Sequence, residues 1–185
     1  MELLEWSRGG VSIRLPGTDP RGVSAALAYS IVKVLSHDRG LLLHAACLIR
    51  DNKAYLFPGR SGAGKSTLAQ HARGFEYVHD DNVVVRRRRG RWWAYGVPML
   101  DNSGRPGLNT AAPIGGLYLI EKSGRLQKKP ASRIAAIREM PEHVIVPVDD
   151  PATGKNVFDT LLSLLSEVDV WRLRFRKDSD VGAVI

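Results

Sequence analysis

A single cysteine, Cys47, occurs in the 185 residues. A lone thiol closes no internal disulfide and has no partner at metal-ligand spacing, which points to a reducing compartment and to a small buried apolar role for Cys47. No uninterrupted apolar run approaches the roughly 18 residues of a membrane-spanning helix. The stretch MELLEWSRGG has neither a basic start nor a following apolar core, so neither secretion nor membrane spanning is expected and the predicted location is cytoplasmic. Internal repeats and low-complexity linkers are also lacking, which predicts one domain over residues 1–185. Acidic residues fall short of basic ones, 19 against 27, leaving a formal charge of +8. Such a surface attracts nucleic acid, phosphorylated ligands or acidic peptide segments alike.

What is present is a succession of short elements. VSIRL near the start reads as a strand. Ser24–Ser36 places Leu27, Ile31, Val32 and Leu35 along one helical face. Two apolar runs, Leu41–Ile49 and Ala54–Phe57, flank the turn-forming Asp51-Asn52 and predict a hairpin. A short helix is expected over Lys65–Ala72, ended by Gly74, and FEYV returns as a strand. VVVRRRRGRWWAYG reads as a second hairpin turning at Arg89-Gly90, carrying Arg86, Arg87, Arg88, Arg89 and Arg91. Two readings of those arginines stay open: a solvated hairpin that protects a sheet edge with charge, or a site for an anionic partner. MLDNSGRPGLNTAAP is the least regular segment. GGLYLIE, VIVPV and VWRLRFR read as strands, and PASRIAAIREM and GKNVFDTLLSLLSEV as helices, the former with Ser132 as N-cap.

The strongest signal is Gly59-Arg60-Ser61-Gly62-Ala63-Gly64-Lys65-Ser66, which fits G-x-x-x-x-G-K-[ST] in full, between an apolar strand and a helix, with Thr67 next to it. The glycines let consecutive backbone N–H groups turn toward one anion, the helix start adds partial positive charge, and Lys65 reaches terminal phosphates. Ser66 can hold magnesium. Fifteen residues beyond Lys65, Asp80 and Asp81 end the strand FEYVH. A strand, a short crossover helix and a second strand form a right-handed unit, so the aspartates are expected beside the loop. One carboxylate could ligate the metal while the other takes a proton from an attacking hydroxyl; the bland alternative is an Asp-Asp-Asn turn. Many nucleotide hydrolases place the metal-binding aspartate much farther from the loop, and here a hairpin precedes it.

From Leu41 to Val85 the chain resembles the HPr serine kinase/phosphorylases and their short kinase-like relatives, which share a nucleotide core with phosphoenolpyruvate carboxykinases. The resemblance rests on His44-Ala45 on a strand, a hairpin, SGAGKS, and a short helix ending before Asp80-Asp81. It implies an α/β fold with a P-loop nucleotide-binding core of that type, a mixed sheet with antiparallel hairpins and flanking helices. It further implies ATP and Mg2+ as cofactors, Lys65 on the phosphates, Ser66 and Asp81 around the metal, Asp80 as the base, and His44 beside the reacting centre. Asp80 and Asp81 could exchange roles, and His44 could equally be a neutral core histidine.

The expected activity is therefore transfer of the γ-phosphoryl group of ATP to a serine-like hydroxyl of a peptide or protein, with Arg105 as a candidate charge stabiliser or a plain surface arginine. The separate N-terminal domain of full-length HPr kinases and their downstream glycine-rich signature are not found in the sequence, which argues against HPr itself as acceptor and against phosphorylase activity. The alternatives are a regulatory or scaffold nucleotide-binding module and a small-molecule kinase. A GTPase is disfavoured by the lack of an Asn-Lys-x-Asp segment. Strand alternation should turn at least one of Trp92, Trp93 and Tyr95 into the core, which argues against nucleic acid as a partner. A homo-oligomer stays open.

Overall fold

The computed structural model describes residues 2–7, 10–14, 20–101, 104–146 and 151–185, with side chains from position 22 onward. A two-stranded antiparallel hairpin, β1 (Glu2–Ser7) and β2 (Gly10–Arg14), leads to helix α1 (Pro20–His37). A mixed sheet of nine strands follows. Its strands are β3 (Gly40–Leu43), β4 (Ala45–Arg50), β5 (Lys53–Pro58), β6 (Glu76–His79), β7 (Val83–Arg88), β8 (Arg91–Tyr95), β9 (Ala111–Lys122), β10 (Gln127–Pro130) and β11 (Val170–Phe175). The helices are α2 (Lys65–His71), α3 (Arg133–Glu139) and α4 (Pro151–Glu167), with a 3-10 turn over Met140–His143. This is the expected mixed α/β architecture with antiparallel hairpins and flanking helices.

Local chemistry accounts for the turns. Asp51 and Asn52 adopt φ of 50° and 57°, and Arg89 and Gly90 adopt 50° and 77°. Two consecutive left-handed residues give a two-residue connection whose twist matches that of the strands it joins. Ser132 caps α3 as expected, its hydroxyl accepting from the Ala135 N–H at 3.2 Å. The central strands are covered on both faces. Ala45 and Cys47 of β4, Ala54 and Leu56 of β5, and Leu117 and Leu119 of β9 share a core with α1 and α4, whereas Ala46, Leu48, Phe57 and Tyr118 pack with Leu68 of α2. Successive strand residues thus feed opposite layers. Cys47 is buried, and burial pushes its thiol up to about 12.

Three expectations are corrected. The apolar run Leu41–Ile49 is two strands, β3 and β4, broken at His44. VIVPV forms no described strand: Val144 makes one isolated bridge to Leu43, and residues 147–150 lie outside the described ones. Leu27 is 39% exposed, whereas Val32 and Leu35 are buried and Ile31 packs against the core, so the α1 face given by its periodicity holds from Ile31 to Leu35 and fails at Leu27, one turn earlier.

Neither β7 nor β8 is an edge strand, since β7 lies between β3 and β8, and β8 between β7 and β9. The sheet order in fact closes on itself, because β3 runs on into β4 and β6 into β7. In β3–β7 pairing Gly40 faces Arg86 and Leu43 faces Val83; in β4–β6 pairing Cys47 faces His79. Paired numbers sum to 126 from Gly40–Arg86 to Cys47–His79, so one antiparallel ladder runs on both sides of a gap at residues 44–46 and 80–82 and shifts register by one residue only beyond Cys47.

Gly96 sits where the chain leaves β8, and a Cβ there would lie 1.8 Å from the Leu108 carbonyl oxygen. The clash is with backbone and no rotamer relieves it. Gly96→Ala is expected to cost about 2–3 kcal/mol, read from urea unfolding; a change within about 0.5 kcal/mol would contradict this close approach.

Candidate functional site

The loop after β5 is shaped by its glycines. Gly62 and Gly64 have φ of 78° and 103°, in the left-handed region that side chains disfavour. A Cβ on Gly64 would also lie 3.0 Å from the ring of Phe175, and one on Gly59 would lie 3.0 Å from Ile120. The loop closes with Ala63 N–H donating to Arg60 O at 3.0 Å, and α2 begins with Leu68 N–H donating to Gly64 O at 2.8 Å. Arg60 is held from outside by Glu142 at 2.6 Å, an exposed pair worth little by itself.

Lys65 folds back onto this loop. Its ammonium donates to the carbonyls of Gly59 at 2.7 Å and Arg60 at 3.2 Å, and lies 2.8 Å from His44 Nε2. The side chain is buried, and burial lowers its pKa, opposed by the charges of Asp81 and Asp80. His44 is half-buried and its imidazole is held below the ordinary value, first by burial and then by Lys65; Asp81 pulls the other way. Its Nε2 therefore accepts from Lys65 as a neutral ring. The structure thus brings His44, Lys65 and the aspartate pair together, with His44 contacting Lys65.

Asp80 and Asp81 are 2% and 7% exposed. They sit in the ladder gap, and two histidines hold that gap open. His79, fully buried, accepts the N–H of Asp81 at 3.0 Å and of Asn82 at 2.9 Å on Nδ1, while Nε2 donates to Met99 O at 3.1 Å. His143 accepts the His44 N–H on its carbonyl at 2.8 Å. Across the gap only Ala45 N–H to Asp81 O, at 3.2 Å, keeps the ladder pattern. Neither His79 nor His143 is singled out by the sequence analysis: neither sits in a motif, and the register that brings them here is a tertiary property. The Oδ1 atom of Asp80 is buried with no hydrogen-bond partner among the described residues.

A cleft of about 630 Å³ opens over the loop, lined by Ser61, Gly62, Gly64, Lys65, Ser66, Thr67 and Asp81 on one side. The opposite wall is Lys122, Ser123, Phe175, Arg176 and Lys177. Those residues follow from strand direction: β9 is parallel to β5 and β11 to β9, so their C-terminal ends converge where the loop leaves β5. That parallel order was the missing signal. Asp80 is not among the residues that line the cleft. Arg105 is not in the cleft either: its guanidinium stacks on Tyr77 at 4.1 Å from the ring centre and meets Asp101 at 3.2 Å. Asp101 also accepts the Tyr77 hydroxyl at 2.5 Å, and burial with that bond pushes the phenol pKa up.

The donor set fits a polyphosphate with magnesium. Left-handed glycines turn backbone N–H groups outward, and Lys122, Arg176 and Lys177 add positive charge on the facing wall. Among the described residues no cluster of three His, Cys, Asp or Glu could hold a metal. Magnesium shared with phosphates needs only one or two protein ligands, which Ser66 and Asp81 can provide.

No family model matches the chain, and no curated protein does. Among solved structures it is distantly similar to the Hpr(Ser) kinase/phosphatase from Coxiella burnetii, with 14% identity over 73% of this chain and 78% of that one and a TM-score of 0.41. Among the described residues no helix is long and apolar enough to cross a membrane.

His79→Leu would leave the Asp81 and Asn82 N–H groups in the gap without their ring acceptor. A loss of about 3 kcal/mol is expected in urea unfolding, with faster amide exchange at Asp81 and Asn82; unaltered exchange there would exclude His79 as the wedge. A second expectation concerns acid. His143 is held below its ordinary 6.5, mainly by burial and then by His44, Lys65 and Arg60, against Glu142. Unfolding restores the ordinary value, so between it and the lowered folded value the unfolded chain binds the extra proton. Stability should be complete above about pH 6.5 and fall as pH drops through that window. In urea titrations across this range His143→Gln should flatten the slope, and an unchanged slope would refute the assignment.

Proposed function

We propose that the chain is an ATP-dependent kinase that transfers the γ-phosphoryl group to a serine-like hydroxyl of a peptide or protein. The observation that carries this reading is the second aspartate. Asp81 and Ser66 line the cleft and suffice for a metal. Asp80 is a further buried carboxylate beside the Lys65 charge, with Oδ1 unpaired among the described residues. Burying an unpaired carboxylate is costly. A module that only holds nucleotide gains nothing from it, whereas a kinase needs a proton acceptor near the phosphates.

The chain's own residues would divide the work as follows. Backbone N–H groups of Gly59 to Ser66, with Thr67 after them, cradle the phosphate chain, and Lys65 exchanges the carbonyls of Gly59 and Arg60 for phosphate oxygens. Ser66 and Asp81 hold the metal. His44 accepts from Lys65 and keeps its ammonium at the mouth of the loop. Asp80 takes the proton of the acceptor hydroxyl. Bound ATP supplies the transferable group, and magnesium neutralises charge on its phosphates. The acceptor class follows from the resemblance of Leu41–Val85 to HPr serine kinases and their short relatives.

Asp80→Asn keeps the shape and removes the basicity. Transfer to the acceptor, found first in a serine-containing peptide library, should fall by about 10²–10⁴-fold, while magnesium–ATP affinity changes little. Asp81→Asn should instead weaken magnesium-dependent nucleotide binding, and Lys65→Ala should abolish it in a folded protein. Normal ATP binding by both aspartate variants, with no transfer by the wild type to the library or to a metabolite panel, would replace the kinase reading with that of a regulatory module. Transfer confined to a metabolite would replace the acceptor class alone.

A further inference from the structure

The arginines of the β7–β8 hairpin divide into two groups. At its root, Arg86 meets Asp38 at 2.8 Å and Arg87 meets Glu167 at 3.2 Å. At its tip, Arg88, Arg89 and Arg91 are exposed and have no acidic partner among the described residues. The tip also carries features that oppose its own stability. Arg88 and Arg91 are directly opposite each other in the ladder, a like-charge pair. Arg89 occupies the first turn position with φ of 50°, where asparagine, aspartate or glycine is preferred. Edge protection does not explain the charge, because the hairpin lies inside the sheet order.

We propose that this tip is a docking site for a short acidic peptide segment, a run of aspartate or glutamate in a partner polypeptide. Charge complementarity selects the partner, since three arginine forks without internal carboxylates match carboxylates bidentately. Nucleic acid suits the tip poorly. Trp92 is 4% exposed, and Trp93 and Tyr95 are half-buried, so no ring is offered for a base to stack on. A long phosphate backbone would also meet the carboxylates of Asp38 and Glu167, which bound the patch at its root. A short acidic run ends before reaching them. From Asp81 the strand runs to Arg88 over seven residues, roughly 23 Å at about 3.3 Å per residue. The docking site is thus separate from the cleft and does not depend on the kinase reading.

The test is fluorescence anisotropy of a labelled oligo-glutamate peptide with the full chain. Wild type should bind it, and binding should weaken as salt is raised. The triple variant Arg88→Gln, Arg89→Asn, Arg91→Thr should bind at least about tenfold more weakly, while its melting temperature stays the same or rises because a like-charge pair is gone. A control losing equal charge elsewhere, Arg125→Gln, Lys129→Gln, Lys155→Gln, should bind within about twofold of wild type. No binding by wild type, equal losses in both triple variants, or tighter binding of oligo-uridylate or anionic vesicles at the same salt would overturn the proposal. Peptide docking without ATP binding would sink the kinase reading and leave this one standing.

Discussion

One antiparallel ladder, prised open for three residues, organises the site. Residues 40–43 with 83–86 on one side of the gap, and Cys47 with His79 on the other, keep one register, which shifts by one residue beyond Cys47. Within it, the Asp81 and Asn82 N–H groups turn to the His79 ring, and the His44 N–H turns to the His143 carbonyl. These three diverted N–H groups each find another acceptor, so the opening does not orphan them. What it achieves is placement. Side chains that would point into continuous sheet are instead displayed at the mouth of the loop that follows β5.

The electrostatics follow from that placement. A lysine, two aspartates and two histidines share a largely dry space, where each charge is felt more strongly than in water. Burial lowers the pKa of Lys65, and both His44 and His143 are held toward their neutral forms. Lys65 satisfies its N–H groups on the carbonyls of its own loop and on His44. Under the proposed function, phosphate oxygens would take the place of those carbonyls. The parallel strands contribute the rest. Their carboxyl ends bring Lys122, Arg176 and Lys177, distant in sequence, to the wall opposite Ser66.

The basic hairpin shows the same economy of position. Its strands are interior and their alternate residues help fill the core, so the arginines concentrate where the ladder has outrun its neighbours: Gly40 is the last β3 residue paired with β7, facing Arg86, and β9 pairs with β8 only as far as Trp93. Charge at a projecting tip is cheap to hydrate and free to meet a partner. Charge at the root is matched by α4 and by the turn after α1, through Glu167 and Asp38.

Sequence alone determined what local chemistry decides. The glycine-rich loop is legible because its glycines are required by left-handed backbone at Gly62 and Gly64, and the turns at Asp51-Asn52 and Arg89-Gly90 and the Ser132 cap are legible for the same kind of reason. The grouping of His44, Lys65, Asp80 and Asp81 could be expected from the order of motifs. Tertiary structure alone decided the break at His44, since an unbroken apolar run contains no sign that two strands will pair with different halves of another run. It also decided that His79 and His143 keep the gap open, that Arg105 rests on Tyr77, and that Phe175 to Lys177 wall the cleft. Register and strand direction relate residues far apart in the chain, and no local propensity encodes such a relation.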